Sequence, residues 1–476
     1  MHYTEIAISK PFEGVPKINL PDIFGASPNK PVILKIATTG ERPVFFSAKG
    51  LPEGLTLENG IITGSAKEAG EYTVTLTAEN SLGKCEKEIK FEIADNHVLL
   101  TPLLGFTSWN AFGSEVSQEK MENIAKKMTE SGICEYGYNY INTDSGWQES
   151  YGGAYDAIMP NKKFPDMKKM CDTIHSYGLK CGIYSTPMLT AWGCPKEFEW
   201  IPGCTQGEPS ELFCETRGGI GKIRKEKNNA LQWNEWGFDY LKYDWAPSDP
   251  YNAELMRTEL IAQPRDFGYC IATHANESYL NYWSKYCNSY RNNTDSLGNW
   301  ENFLVLYNSY KPFIKAMNKG HFYDLDMLDI GTCELFEEGC AYTEDEQIMS
   351  YSIRAFFGSP IQISSTLENL TEFELSVYCN EEVIAINQDV AFDSGKPFHI
   401  YEKDNKIFHA YKRKLSDGSY AVMILNLGEV ADNIKIYLDD YSSIRDVWAK
   451  QDMPETDVLD IYMKPHTVRI FKIKAI

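Results

Sequence analysis

Two short strings carry residue types and spacing that could do chemistry. YLKYD, ending at Asp244, and YRNNTD, ending at Asp295, each read as a β-strand that closes on a carboxylate. Each has a cation close by, Lys242 in the first and Arg291 in the second. Glycosidic bond cleavage needs two such carboxyl groups, one to attack or stabilise the sugar carbon and one to protonate the leaving oxygen. Side chains alternate along a strand, so Tyr240, Lys242 and Asp244 share one face, as do Asn142 and Asp144, and Asp324 and Asp326. Lys242 beside Asp244 favours the ionised carboxylate that a nucleophile requires. Asp295, on a loop past Arg291, suits a group that serves first as acid and then as base. A single strand-end aspartate can equally be a helix cap or half of an ion pair. Several at successive strand ends point to a site.

Those strand ends need a scaffold that gathers them. Between residues 98 and 392 the sequence alternates strand and helix patterns. Eight apolar runs read as strands: LLGFTSW, YNYINTD, KCGIYST, DYLKYDW, YCIATHA, YCNSYRN, FYDLDML and SPIQISS. After Ser117, an N-cap residue type, Met121, Ile124, Ala125 and Met128 recur at helical spacing. Met167, Met170, Cys171 and Ile174 repeat that spacing, and Gly178 is placed to end the helix. Eight strands with helical returns predict a (β/α)8 barrel, a TIM barrel, whose active site is built from the C-terminal strand ends. A doubly wound sheet would need a glycine-rich dinucleotide turn, which is missing. GGIGK at 218–222 is not a phosphate-binding loop, because Thr216 holds the first glycine position and Ile223 follows the lysine. Residues 1–97 read as all-β, with alternating runs such as YTVTLTA and KEIKFEIA set off by turns such as Glu58-Asn59-Gly60. Residues 393–476 return to β patterning in KIFHAYKRKL, YAVMILNL, NIKIYL and TVRIFKIKAI, which suggests an antiparallel β-sandwich beside the barrel. Neither flank shows a catalytic cluster.

Composition narrows the partners. With 46 Lys and Arg against 67 Asp and Glu, the net charge of −21 disfavours nucleic acid and anionic membranes. A neutral or cationic small molecule fits better. The 29 Tyr and 10 Trp suit sugar-binding clefts, and equally large packed cores. No run approaches the ~20 apolar residues of a membrane span, and MHYTEIAISK lacks the apolar core of a signal peptide. Cys171 and Cys181 lie in apolar segments, as buried free thiols do. Cys194, Cys204 and Cys214 share a Gly/Pro-rich insertion without close Cys pairing or a nearby His, so free thiols or one local disulfide are expected there rather than zinc.

Seven motifs taken together resemble a known family. LLGFTSWNAFG, YGYNYINTDSGWQ, KKFPDMKKMCDTIHSYGLKCGIY, WGFDYLKYD, YCNSYRNNTD, DLDMLDIG and VIAINQD follow one another in the order found in glycoside hydrolase family 27, the α-galactosidases and α-N-acetylgalactosaminidases. The string GLPEGLTLENGIITGSAKEAGEYTVTLTAEN resembles immunoglobulin-like modules, giving an Ig-like β-sandwich over 1–97 with a spacer or docking role. The resemblance implies a retaining α-glycosidase without metal or organic cofactor. It makes Asp244 the nucleophile and Asp295 the acid/base. It places Arg291 at the sugar 2-substituent, and Lys242, Tyr184, Asp144, Asp326 and Met327 around the terminal sugar. The departures from the family pattern are informative. Ser145 stands where the family usually has a second aspartate, and Phe106 stands for a first-strand Trp at the pocket floor. The family's cysteines at the first two strand ends are Ser114 and Gly146 here, which favours a reducing, cytoplasmic setting; a trimmed leader would make it periplasmic or secreted. His274, in the unmatched loop ATHANES, is a candidate sugar contact. Sequons occur at Asn276, Asn292 and Asn369, and a glycan on Asn292 would obstruct the proposed site. These substitutions leave an α-N-acetylgalactosaminidase or a β-L-arabinopyranosidase open as alternatives. An inactive sugar-binding barrel or a structural surface protein is disfavoured by the intact charged set. Oligomeric state is left open.

Overall fold

The computed structural model describes residues 5–186, 224–244, 250–272, 275–313, 316–336, 340–438, 441–454 and 456–475. His274, the GGIGK string and Cys194, Cys204 and Cys214 lie outside the described residues.

All eight expected strands form one parallel sheet: β1 (Leu104–Thr107), β2 (Tyr140–Thr143), β3 (Lys180–Ser185), β4 (Tyr240–Tyr243), β5 (Gly268–Ile271), β6 (Ser289–Tyr290), β7 (Phe322–Tyr323) and β8 (Ile361–Ile363). Their order is β7-β6-β5-β4-β3-β2-β1-β8. A parallel bridge between Leu328 and Ile363 closes the ring. The outward residues Ile141, Ile183, Leu241 and Ile271 join the large core beneath the helices. The inward residues Tyr140, Tyr240 and Cys270 form a smaller cluster with Leu103. Register aligns Tyr184 with Lys242, and Lys242 with Cys270, so these three share the inward face. The helices begin and end where their residue types dictate. In α1 (Gln118–Glu130) Ser117 accepts the Lys120 amide, and Met121, Ile124, Ala125 and Met128 are buried. In α2 (Met167–Ser176) Asp166 caps the start, and Gly178 leaves the helix at φ 76. A hairpin of Gln148–Gly152 with Ala157–Pro160, not expected from the sequence, follows β2.

The flanking segments are β-sandwiches docked on the barrel. At the N-terminus, Ile23–Ala26, Gly83–Ile93, Gly70–Asn80 and Phe45–Lys49 form one sheet, and Val32–Lys35, Ile61–Gly64 and Leu55–Glu58 a second, around their own core. This sandwich meets the barrel through ion pairs just ahead of strands. Glu135, before β2, pairs with Lys35 (3.3 Å) and Arg42 (3.2 Å) and accepts the Thr38 amide (3.1 Å). Asp266, before β5, pairs with Lys30 (3.3 Å) and accepts the Ser27 amide (2.7 Å). Lys319, before β7, pairs with Glu92 (2.7 Å). Residues just ahead of strands mark the N-terminal face of a barrel, so this sandwich covers the end opposite the strand-end carboxylates.

At the C-terminus, a six-stranded antiparallel sheet faces the pair Asp432–Tyr437 and Val458–Met463. It packs on the helix Glu344–Phe356, which opens with a capping box of Thr343 and Glu346; Trp448 Nε1 donates to Ser352 Oγ (2.9 Å) and Arg413 to the Phe356 carbonyl (2.7 Å). Among the described residues no helix is long and apolar enough to cross a membrane.

Glu135 is 5 % exposed and answers two cations at once. Glu135→Ala leaves both without their acid and should destabilise the protein by about 2 kcal/mol or more. Equilibrium denaturation measures this, and an unchanged midpoint would contradict the docking role of this cluster.

Candidate active site

Asp244 directly follows β4 and is buried at the mouth of the barrel. The Tyr184 hydroxyl, from β3 at the level of Lys242, donates to Asp244 Oδ2 (3.1 Å). Lys242 shares the inward face, as alternation requires, but its direct partner is Asp144 Oδ2 (2.7 Å) rather than Asp244. Burial disfavours the ammonium, yet the fields of Asp144, Asp244 and Asp326 outweigh it and raise the Lys242 pKa above its ordinary value. This cation therefore stays charged. Asp144 is held from all sides: Thr107 Oγ1 donates to Oδ2 (3.3 Å), the Ser145 amide donates to Oδ1 (2.7 Å), and its own amide donates to Ser108 Oγ (2.9 Å).

Asp295 differs from the sequence expectation of a strand end. Strand β6 stops at Tyr290, and Asp295 lies on the loop leading to the helix Trp300–Ser309. Its side chain is 50 % exposed, whereas Arg291 beneath it is 1 % exposed. Arg291 Nη2 reaches Asp295 Oδ1 (2.9 Å) and Nη1 reaches Asp326 Oδ2 (2.8 Å). Burial opposes the guanidinium charge, but Asp326, Asp295, Asp244 and Asp324 together keep its pKa well above the usual arginine value. One cation thus feels both candidate catalytic carboxylates. The loop backbone is pinned on either side of Asp295. Asn302 Nδ2 donates to the Asp295 carbonyl (3.0 Å), the Ser296 amide donates to Asp326 Oδ2 (2.7 Å), and Asn110 Nδ2 donates to the Ser296 carbonyl (2.9 Å). Ser296 Oγ donates to Asp329 Oδ2 (2.5 Å), whose Oδ1 accepts from Asn110 (2.7 Å). A carboxyl on a fixed backbone that opens to solvent can pass a proton to a bound group and later take one from water.

Of the expected site residues, Asp144, Tyr184, Lys242, Asp244, Arg291, Asp295 and Asp326 converge in one linked network. Ser145 is buried beside Asp144. Met327 is buried, with Ser364 Oγ 3.6 Å from its sulfur. Phe106 is not part of the pocket floor. It pairs in register with Ile141 and Ile363 and belongs to the outer core with Phe112, because its neighbour Thr107 takes the inward position. Trp109, two residues past β1 and only partly buried, is the Trp that stands at this strand end. A Cβ on Gly146 would lie 3.1 Å from the Ser114 backbone, so the positions that carry cysteines in the family are adjacent here. Sequence reading missed Asn110, Ser296 and Arg354, which touch the site through backbone groups, and Asp329, whose carboxylate holds the Asn110 and Ser296 side chains. Asp329 alone had a legible signal, as a third acid in DLDMLDIG. Among the described residues no group of three or more His, Cys, Asp or Glu is arranged to hold a metal ion.

Comparison with known proteins matches this architecture. The α-galactosidase A family profile aligns with residues 101–206 and 210–389. An Ig domain profile aligns with 18–94, and the α-galactosidase C-terminal β-sandwich profile with 406–473. The chain is 28% identical over 408 residues to α-galactosidase A of Cellvibrio japonicus, covering 78% of this chain and 92% of that one. It is 25% identical over 418 residues to α-galactosidase 2 of Arabidopsis thaliana, covering 84% and 96%. A crystal structure of a candidate α-galactosidase from Bacteroides fragilis superposes with a TM-score of 0.85 at 28% identity, over 99% of this chain and 100% of that one.

Asp324, buried beneath the network, gives a pH signature. Burial pushes its carboxyl up to about 6, and Asp326 adds to this, against the pull of Arg291, the Asp326 amide and Lys242. The folded state therefore binds a proton more tightly than the unfolded state does. That stabilising contribution is complete below the unfolded value near 4 and is lost as pH rises through about 6. Asp324→Asn keeps an oxygen for the Asp326 amide and has no charge to bury. Its melting temperature relative to wild type should rise between pH 4.5 and pH 8, and a difference that falls over this range would contradict the assignment.

Proposed function

Since the chain belongs to the α-galactosidase A family of glycoside hydrolases, family 27, we propose that it removes terminal α-galactosyl residues with retention of configuration. Asp244 attacks the anomeric carbon while Asp295 donates a proton to the departing oxygen. The glycosyl–Asp244 ester is then opened by a water that Asp295 deprotonates. Tyr184 and Lys242 stabilise negative charge on Asp244 before attack and after release. Asp144, Lys242, Arg291 and Asp326 supply fixed donors and acceptors for sugar hydroxyls, with Ser145 and Met327 beside them. The buried depth of Asp244 against the exposure of Asp295 fits exo action, in which one terminal sugar enters and the leaving group stays near solvent. Segments 1–97 and 393–476 brace the barrel of 98–392, and the chemistry is confined to the barrel.

One observation carries this reading: a single buried guanidinium, Arg291, bonds Asp295 and lies in the field of Asp244. That arrangement supports an exposed acid and a buried nucleophile acting at the same end of the barrel. A β-L-arabinopyranosidase from Geobacillus stearothermophilus shares the fold (TM-score 0.68, 20% identity), so the substrate panel must include that sugar.

Asp244→Asn and Asp295→Asn should each lower kcat by about 10³-fold or more on an α-galactoside with an unactivated leaving group. Near-normal turnover by either variant would refute its role. On aryl glycosides, α-galactoside should be preferred over α-N-acetylgalactosaminide and β-L-arabinopyranoside; preference for either of the others would overturn the sugar assignment.

A further inference from the structure

Asp326 has φ 64, a left-handed backbone that residues other than glycine seldom adopt. From that turn its carboxylate reaches Arg291 and the Ser296 amide. What holds the turn comes from elsewhere in the barrel. Strand β7 has ended at Tyr323, and side chains take over the backbone bonding. Ser359 Oγ accepts the Leu325 amide (2.9 Å), and Asp324 Oδ1 accepts the Asp326 amide (2.8 Å). The carbonyls of residues 325, 326 and 327 all converge on Arg354, near the end of the helix Glu344–Phe356. Nε donates to Asp326 O (3.1 Å), and Nη2 to Leu325 O (2.9 Å) and Met327 O (2.7 Å). Nη1 is anchored on the helix itself, to Ser350 O (3.0 Å) and Ser350 Oγ (2.7 Å). Arg354 is fully buried. Three successive carbonyls cannot face one group in an extended strand, where they alternate, so this grip is specific to the turn. A planar guanidinium can make it, whereas an ammonium is a point donor.

We propose that Arg354 is a positioning residue for the reaction. It fixes the turn from which Asp326 binds Arg291, and through Arg291 it sets where the Asp295 carboxyl can sit. This rests on the assignment of Asp244 and Asp295 made above. A residue that merely braces the helix would lower the amount of folded enzyme and reduce turnover of every substrate alike. A residue that places the acid must hurt most those substrates whose leaving group needs the proton.

The test is a double-mutant cycle read on two substrates, an α-galactosyl disaccharide and a dinitrophenyl α-galactoside. Arg354→Lys should lower kcat/KM about 10²-fold on the disaccharide and at least about tenfold less steeply on the activated glycoside. In an Asp326→Asn background the same change should cost less than about threefold on the disaccharide, since the two act in series. Ser350→Ala, which removes one anchor of the guanidinium, should show the same substrate dependence in smaller measure and decides the matter if Arg354→Lys does not fold. Equal losses on both substrates, full multiplication with Asp326→Asn, or wild-type behaviour of Ser350→Ala would each overturn the proposal. If instead the wild type hydrolyses neither glycoside, or Asp244→Asn retains full activity, the underlying assignment fails and takes this proposal with it.

Discussion

Arg291 is the constraint on which the mouth of the barrel depends. Its guanidinium is buried, always charged and rigid, and its two terminal nitrogens are each committed to a different carboxylate, Asp295 and Asp326. A cation taken out of water is costly unless its partners are well placed. Here the partners come from two loops far apart in sequence, so satisfying one side chain fixes both loops. Removing the arginine would leave two carboxylates crowding the same space with Asp244 and Asp324, which the pull of those four acids on its charge makes plain.

The same logic recurs on the other side of the pocket. Lys242 occupies the inward face of β4 and bonds Asp144 from β2 while sitting in the field of Asp244 and Asp326. Two buried cations therefore organise five acids that follow four strands, and the donors they offer are fixed before any sugar arrives. Preorganised charge of this kind needs little rearrangement during the reaction. The two flanking sandwiches, as far as the described residues go, brace the barrel away from that face. The N-terminal sandwich is held to the opposite end by Glu135, Asp266 and Glu92, and the C-terminal sandwich rides on the helix that carries Arg354. Rigidity is supplied from below and from the side.

Much of this was legible in the residues. Period-two strands that end on acids, and helices with Ser117 and Gly178 at their ends, are local signals, and the eight strands they predict are the eight observed. Direct pairing was not legible. The sequence sets Lys242 beside Asp244, two residues away on the same face, whereas its closer partner is Asp144 on a strand two positions along, a matter of shear between strands rather than of sequence distance. The family resemblance puts Phe106 in the pocket, whereas Thr107 holds the inward position. A one-residue difference in which face looks inward reverses every such assignment. The supports around Asp295 and Asp326 were hidden for another reason. Asn110, Ser296 and Arg354 act on carbonyls and amides, and nothing in a side-chain pattern announces which backbone group will be its target.

The central claim is that Asp244 forms a covalent bond to the sugar while Asp295 handles the proton. Incubation with a slowly hydrolysed fluorinated α-galactosyl donor, followed by proteolysis and mass spectrometry, reads this directly. The account predicts one added glycosyl unit, found on the peptide that contains Asp244 and attached to that residue. A label on any other residue, or complete turnover to the inverted sugar with no protein adduct, would contradict it.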